Sequence, residues 1–170
     1  MENLKGRIIA GNHVSNIDPA CLGAIIPFEI YFFAKAELFK GKFFKWLFNQ
    51  LNCIPVRRGQ MDLSAIKSSI RVLNAGSPLL IFPQGTRGGK RAKAGIGMIA
   101  SAVKKDIVPV YVENTTDLMK CFLRKKKVRI IIGQTIAWDS YANLDDNKDK
   151  YQLIADDIYN KIIKLGHEQN

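Results

Sequence analysis

Short apolar runs alternate along this chain with stretches whose apolar residues recur at helical intervals. The runs at residues 7–11, 30–34, 53–56, 79–82, 107–112 and 128–133 have the length and the β-branched or aromatic content of buried strands. Between two of them, Leu63, Ile66, Ile70 and Leu73 recur every three or four residues and predict a helix that Gly76 closes. Residues 96–103 suit a second helix, and Tyr151, Ile154, Ile158, Ile162 and Leu165 line one face of a third. Asp18-Pro19 reads as a helix start, because Asp is a preferred N-cap and Pro is tolerated at the first helical position.

Strands alternating with helices predict an α/β fold, with a largely parallel central sheet flanked by helices and right-handed crossovers. In such sheets, sites form where loops leave the carboxyl ends of the strands. That rule brings the loops bearing His13, Arg58 and Arg87 to one rim. A chain of 170 residues with 47% hydrophobic content is expected to form a single domain over residues 1–170. Its motif-bearing core is expected at about 8–112, and a C-terminal strand and helix at about 128–165.

Charge adds a partner class. The chain carries a formal net charge of +11, and the excess belongs to its middle: residues 35–129 hold 20 basic and 5 acidic side chains. Anionic partners are favoured, whether phosphorylated metabolites, acidic lipid surfaces or nucleic acid. Cys21, Cys53 and Cys121 are odd in number and widely spaced, which suggests neither a disulfide framework nor a zinc site and fits a reducing compartment. The N-terminus lacks a secretory pattern and no run of 18 apolar residues occurs, so membrane contact is expected to be peripheral.

Candidate chemistry concentrates in a few loops. His13 and Asp18 are separated by four residues, close enough for one turn to bring imidazole and carboxylate together. A histidine so held can accept a proton from a hydroxyl, while a lone histidine near a strand end also fits a purely structural role. Asp18 suits either helix capping or orienting the ring. Ser15 lacks the G-x-S-x-G elbow of a hydrolase serine. In residues 83–89 the glycines permit close backbone approach to a phosphate and Arg87 supplies bidentate donors, although a solvated turn explains the same residues. The Walker A pattern fails there, since Gln84 and Arg91 stand where Gly and Ser or Thr are required. Arg57-Arg58 is a second guanidinium source or a plain charged loop, and Lys93 adds to the same field. Lys125-Lys126-Lys127 reads as a solvated basic loop or a contact for anionic lipid. Residues 39–48 alternate aromatics with lysines, and fit a helix packing Phe, Trp and Leu inward or one lying in a membrane interface. No RNP-like or zinc-finger pattern accompanies them, so nucleic acid is not expected as a partner.

Together these loops resemble the glycerolipid acyltransferase family in four ordered blocks between about residues 8 and 112. Asn12-His13-Val14-Ser15-Asn16-Ile17-Asp18 is similar to the N-H-x4-D block, and residues 54–59, I-P-V-R-R-G, to the second block with its substrate-binding arginine, here Arg58. Residues 82–87, F-P-Q-G-T-R, are similar to F-P-E-G-T-R, and residues 107–110 to the apolar fourth block containing a proline, here Pro109. The resemblance implies transfer of a fatty acyl group from a thioester, acyl-CoA or acyl carrier protein, to a lysophospholipid hydroxyl, with 1-acylglycerol-3-phosphate the expected acceptor. His13 would be the general base and Asp18 its orienter. Arg58 and Arg87 would hold the acceptor's phosphate, with Gln84, Gly85, Thr86 and Lys93 completing the substrate site. Pro109 would be structural or help form the acyl-chain site. No metal or cofactor is expected, because the thioester is already activated. The expected location is cytoplasmic, peripheral on the inner face of the cytoplasmic membrane and against its anionic surface. Alternatives are another acceptor, glycerol-3-phosphate or a lyso-ornithine lipid, or a non-catalytic basic module binding membrane or nucleic acid.

Two departures from the family pattern stand out. Gln84 replaces the usual Glu, keeping a hydrogen-bonding amide but removing a negative charge beside Arg87. Members commonly carry an N-terminal membrane-binding segment before the His block, whereas 12 residues precede His13 here. Anchoring is therefore expected from the aromatic and basic surface of residues 35–58, or the chain is an unusually soluble or shortened member.

Overall fold

Four consecutive buried residues, Ile8–Gly11, form strand β1 near the middle of a six-stranded sheet. The computed structural model describes residues 4–57, 59, 61–117, 120, 121, 123, 125–145 and 147–168. The other strands are β2 (Tyr31–Lys35), β3 (Cys53–Val56), β4 (Leu79–Ile81), β5 (Ile107–Glu113) and β6 (Arg129–Ile132). Their order across the sheet is β3-β2-β4-β1-β5-β6, and every neighbouring pair is parallel except β5 with β6. Each expected strand is present, with ends moved by a residue or two, as hydrogen bonding trims what hydrophobicity alone outlines.

Both faces of the central strands are apolar because both are covered. Ile8, Ala10, Leu79, Ile81 and Ile107 point to one side, against helices α3 (Leu63–Asn74), α4 (Gly95–Val103) and α5 (Lys148–His167). Ile154, Ile158 and Ile162 of α5 are fully buried there, on the face that the sequence periodicity picks out. Ile9, Leu80, Val108, Val110 and Val112 point the other way, onto Leu22 and Ile26 at helix α1 (Asp18–Ile25). Asp62 caps α3 by accepting the backbone N–H groups of Ser64 and Ala65, and Gly76 follows its last turn at φ +85°, a conformation that favours glycine.

The stretch at residues 39–48 departs from the inward-packing expectation. A 3₁₀ turn at Ala36–Phe39 leads through Gly41 into helix α2 (Lys42–Gln50), and none of the α2 residues is buried. Among the described residues no helix is long and apolar enough to cross a membrane.

Because β1 to β5 run the same way, the segments after Gly11, Lys35, Val56, Ile81 and Glu113 all leave one edge of the sheet.

Candidate active site

The loop after β1 is fixed at both ends by side chains that act like backbone. Asn12 prolongs the β1–β5 pairing past its last residue: its amide donates to the Val112 carbonyl at 2.8 Å and accepts the Val112 N–H at 2.6 Å. His13 follows, with its Nδ1 2.8 Å from Asp18 Oδ2 and its ring stacked on Phe82 at 4.3 Å and 16°. His13 is 6% exposed and Asp18 is fully buried.

Asp18 accepts four hydrogen bonds. Oδ2 takes the His13 ring at 2.8 Å and the backbone N–H groups of Val14 and Ser15 at 2.7 Å apiece, and Oδ1 takes the Thr115 hydroxyl at 2.6 Å. Burial by itself would push the carboxyl up, yet the bonds from His13, Thr115, Ser15 and Val14 outweigh it and hold Asp18 below the ordinary carboxylate value. An ionised carboxylate only accepts, so Nδ1 carries a ring hydrogen, and in the neutral imidazole the lone pair is then on Nε2.

The capping role of Asp18 is not seen. Ile17 occupies the N-cap without a side-chain bond, Asp18 is the first helical residue, and Pro19 lies in the first turn. The carboxylate turns back to the donors of residues 13–15 because those N–H groups sit in a tight loop upstream, where no helix partner competes for them.

The loop after β4 packs directly against this pair. Gln84 turns both ends of its amide inward, Oε1 accepting the His13 N–H at 2.6 Å and Nε2 donating to the Gly89 carbonyl. Gly88 donates its N–H to the His13 carbonyl at 2.9 Å, so Arg87 lies one residue from a direct tie to His13, its side chain exposed. Gly85 has φ +67°, and a Cβ there would meet Lys93 Cδ at 3.0 Å and Nζ at 3.4 Å. The Lys93 ammonium therefore lies over the glycine backbone, while the Lys93 backbone N–H donates to the Pro83 carbonyl at 2.9 Å. Thr86 is exposed, and its hydroxyl faces Gly89. Tyr159 of α5 also donates to the Gly89 carbonyl, bracing the loop from outside.

His13, Asp18, Gln84, Gly85, Thr86, Arg87 and Lys93 thus meet at one rim. Arg58 lies outside the described residues. Its neighbour Arg57 leaves the carboxyl end of β3, and the Arg57 N–H donates to Asp62 Oδ2 at 2.8 Å, tying that loop to the start of α3. Two participants escape a reading of the sequence. Phe82 is visible in its block but nothing marks it as the floor under the imidazole. Thr115 is foreshadowed only by the polar Asn114-Thr115-Thr116 step after a strand that ends on the same rim. Among the described residues, no three His, Cys, Asp or Glu side chains gather as a metal site.

Known proteins resemble this chain along most of its length. The family model described as Acyltransferase matches residues 1–113. A 1-acyl-sn-glycerol-3-phosphate acyltransferase of Bacillus subtilis is 31% identical over 173 aligned residues, covering 98% of this chain and 86% of the relative. One from Streptococcus pneumoniae is 28% identical, covering 95% of this chain and 61% of the relative. The crystal structure of the 1-acyl-sn-glycerophosphate (LPA) acyltransferase PlsC of Thermotoga maritima shares the fold, with a TM-score of 0.68 at 20% identity over 99% of this chain and 69% of that one. A family match that spans every strand from β1 to β5, and a relative aligned along nearly the whole chain, make this protein an enzyme of the acyltransferase family.

Proposed function

We propose that the protein transfers a fatty acyl group from an acyl thioester to the sn-2 hydroxyl of 1-acylglycerol-3-phosphate, giving phosphatidic acid for phospholipid synthesis. The observation that carries this reading is the buried His13–Asp18 pair, its Nε2 without a hydrogen-bond partner among the described residues, beside a loop that holds Arg87 and Lys93. Relatives that are 1-acyl-sn-glycerol-3-phosphate acyltransferases support this acceptor and this reaction.

In this reading His13 Nε2 takes the proton of the acceptor hydroxyl as its oxygen attacks the thioester carbonyl carbon. A C–O bond forms, the C–S bond breaks, and the imidazolium returns its proton to the departing sulfur. Asp18 holds the ring in the accepting tautomer and stabilises its charged form. Arg87 and Lys93, with Arg58 of the second sequence block, bind the phosphate through charge-assisted bonds. Gly85 and Thr86 shape that loop, and Gln84 holds it to His13. The thioester brings its own activation, so the reaction runs without a metal or prosthetic group. Acyl-CoA and acyl carrier protein both fit as donor. The acceptor is an amphiphile and the middle of the chain is basic, which supports a peripheral position on the anionic cytoplasmic face of the membrane.

The test is thiol release from acyl-CoA and from acyl carrier protein in the presence of 1-acylglycerol-3-phosphate, with the product read by mass spectrometry. Glycerol-3-phosphate and a lyso-ornithine lipid in the same reaction act as competing acceptors, and preferential acylation of either would replace the acceptor named here. Replacing His13 by Ala is expected to lower the rate about 10²- to 10⁴-fold. An equal rate in both proteins removes His13 from the chemistry.

A further inference from the structure

Exposed apolar side chains are not scattered over this protein. Of the eleven large hydrophobic residues exposed among the described residues, seven fall between residues 38 and 63. The centre of that surface is α2, where Phe43, Trp46 and Phe44 are 65%, 58% and 52% exposed. Their rings touch, Phe43 against Phe44 at 5.5 Å and against Trp46 at 6.2 Å, which makes one continuous aromatic patch. Leu38 in the turn before the helix and Leu51 just after it are exposed as well. Phe48 reaches back, meeting Phe39 at 5.3 Å and holding α2 to the preceding turn.

An apolar helix face left in water marks a surface that is covered in use. Its charge says by what. Residues 35–58 contain six basic side chains and a single acidic one, Glu37. Lys35, Lys40, Lys42 and Lys45 are all exposed around the rings. Lysines with long aliphatic stems beside Phe and Trp match an interface in which rings enter the acyl boundary and ammonium groups stay among phosphates. The position of the patch fits the same partner. The turn and helix that carry it leave the carboxyl end of β2, on the rim shared by the His13 loop and the Arg87 loop.

We infer that α2, with the turn before it, is the element that docks this protein onto an anionic lipid bilayer and turns the catalytic rim toward the lipid. The inference deepens the proposed function, on which it rests for an acceptor that resides in the bilayer.

Full-length protein is floated with vesicles of phosphatidylcholine alone and of phosphatidylcholine mixed with phosphatidylglycerol. The expected result is binding to the mixed vesicles, weakened by salt. The chain has two tryptophans and Trp138 is buried, so a blue shift and quenching by brominated acyl chains report on Trp46. Combining Phe43→Ser, Phe44→Ser and Trp46→Ser, none of which opens a core cavity, is expected to cut vesicle binding about tenfold or more. Reversing Lys40, Lys42 and Lys45 to Glu is expected to abolish the preference for phosphatidylglycerol. Thiol release with a short-chain lysophosphatidic acid dissolved as monomers should be unchanged in both variants, while release with vesicle-borne acceptor falls with binding. Three results overturn the inference: aromatic variants that float like the wild type, Trp46 emission that does not move when the protein floats, or a dimer that the aromatic substitutions disrupt while no form binds vesicles. Wild-type protein that floats through α2 yet acylates no acceptor, dissolved or embedded, overturns the proposed function and leaves the docking element standing.

Discussion

Thr115 donates its hydroxyl hydrogen to Asp18 Oδ1 at 2.6 Å, although 97 residues separate the two in the chain. Both are fully buried. The contact exists because Asn12 clamps Val112 with two bonds, which carries the end of β5 past the His13 loop and delivers the following turn to the carboxylate. A carboxylate with one oxygen on the imidazole and the other on a hydroxyl cannot rotate, and neither can the ring it holds.

Thr115→Val keeps the shape of the side chain and removes the donor. It should cost about 1–3 kcal/mol of stability, the usual penalty for stranding a buried polar atom. If Thr115 positions the pair, kcat falls while the KM for acceptor stays near its wild-type value, and Thr115→Ser recovers most of the loss. Steady-state kinetics on the two variants check this. Full kcat in the Val variant would mean that three donors suffice to hold Asp18.

Acid should weaken the folded state through Asp18. Its folded carboxyl lies below the ordinary value of 3.8, so the folded protein binds that proton less tightly than the unfolded chain. The stability it contributes is whole above the unfolded value and is lost as pH falls through the folded one. Urea midpoints of the wild type should decline below about pH 4 more steeply than those of Asp18→Asn, which cannot titrate there. At neutral pH the Asn variant should be about 2–3 kcal/mol less stable, since its amide hydrogens face donors. Parallel slopes in acid would assign the titration elsewhere.

The local parts of this site are legible from sequence and the non-local parts are not. His13 and Asp18 lie within one turn of chain, so their spacing suffices to pair them. Gln84 meets His13 across 71 residues and Thr115 meets Asp18 across 97, and both contacts depend on β1 lying between β4 and β5. Strand order is not written in hydrophobic periodicity. The cap reading of Asp18 failed for a related reason: Asp-Pro marks a helix start, but the residue's nearest good donors lie upstream. For α2, the spacing of Phe43, Leu47 and Trp46 among lysines is the same whether the face meets a core or a bilayer, and only the placement of the neighbouring elements decides.

Cys53 should resist thiol reagents for as long as the protein stays folded. Burial in β3 pushes its thiol up to about 11, so little thiolate forms near neutrality and access is blocked as well. Because the folded value lies above the unfolded value of 9.0, the protein gains by keeping Cys53 protonated. That gain is complete below pH 9.0 and disappears as pH rises toward 11. Titration with an aromatic disulfide reagent, with the modified peptides mapped, should find Cys53 labelled only after denaturant is added. Labelling in the native protein would show that β3, an edge strand, opens readily.

Gly97 sets the distance between α4 and α5, because a Cβ at that position would overlap the carbonyl of Tyr151. Helix propensity favours Gly97→Ala by about 1 kcal/mol. Overpacking opposes it by about 3 kcal/mol or more, since the obstacle is backbone and cannot rotate away. The steric cost should win, and thermal or urea denaturation will read the net loss. The same change should reach the site. α4 begins two residues after Lys93, whose backbone anchors the Arg87 loop through Pro83, so a shifted helix carries the phosphate-binding side chains with it. The expected signature is a raised KM for the acceptor together with a lower kcat, because Gln84 and Gly88 of the same loop also bond the His13 backbone. A stabilised Ala variant with unchanged kinetics would show that the two helices can separate without cost.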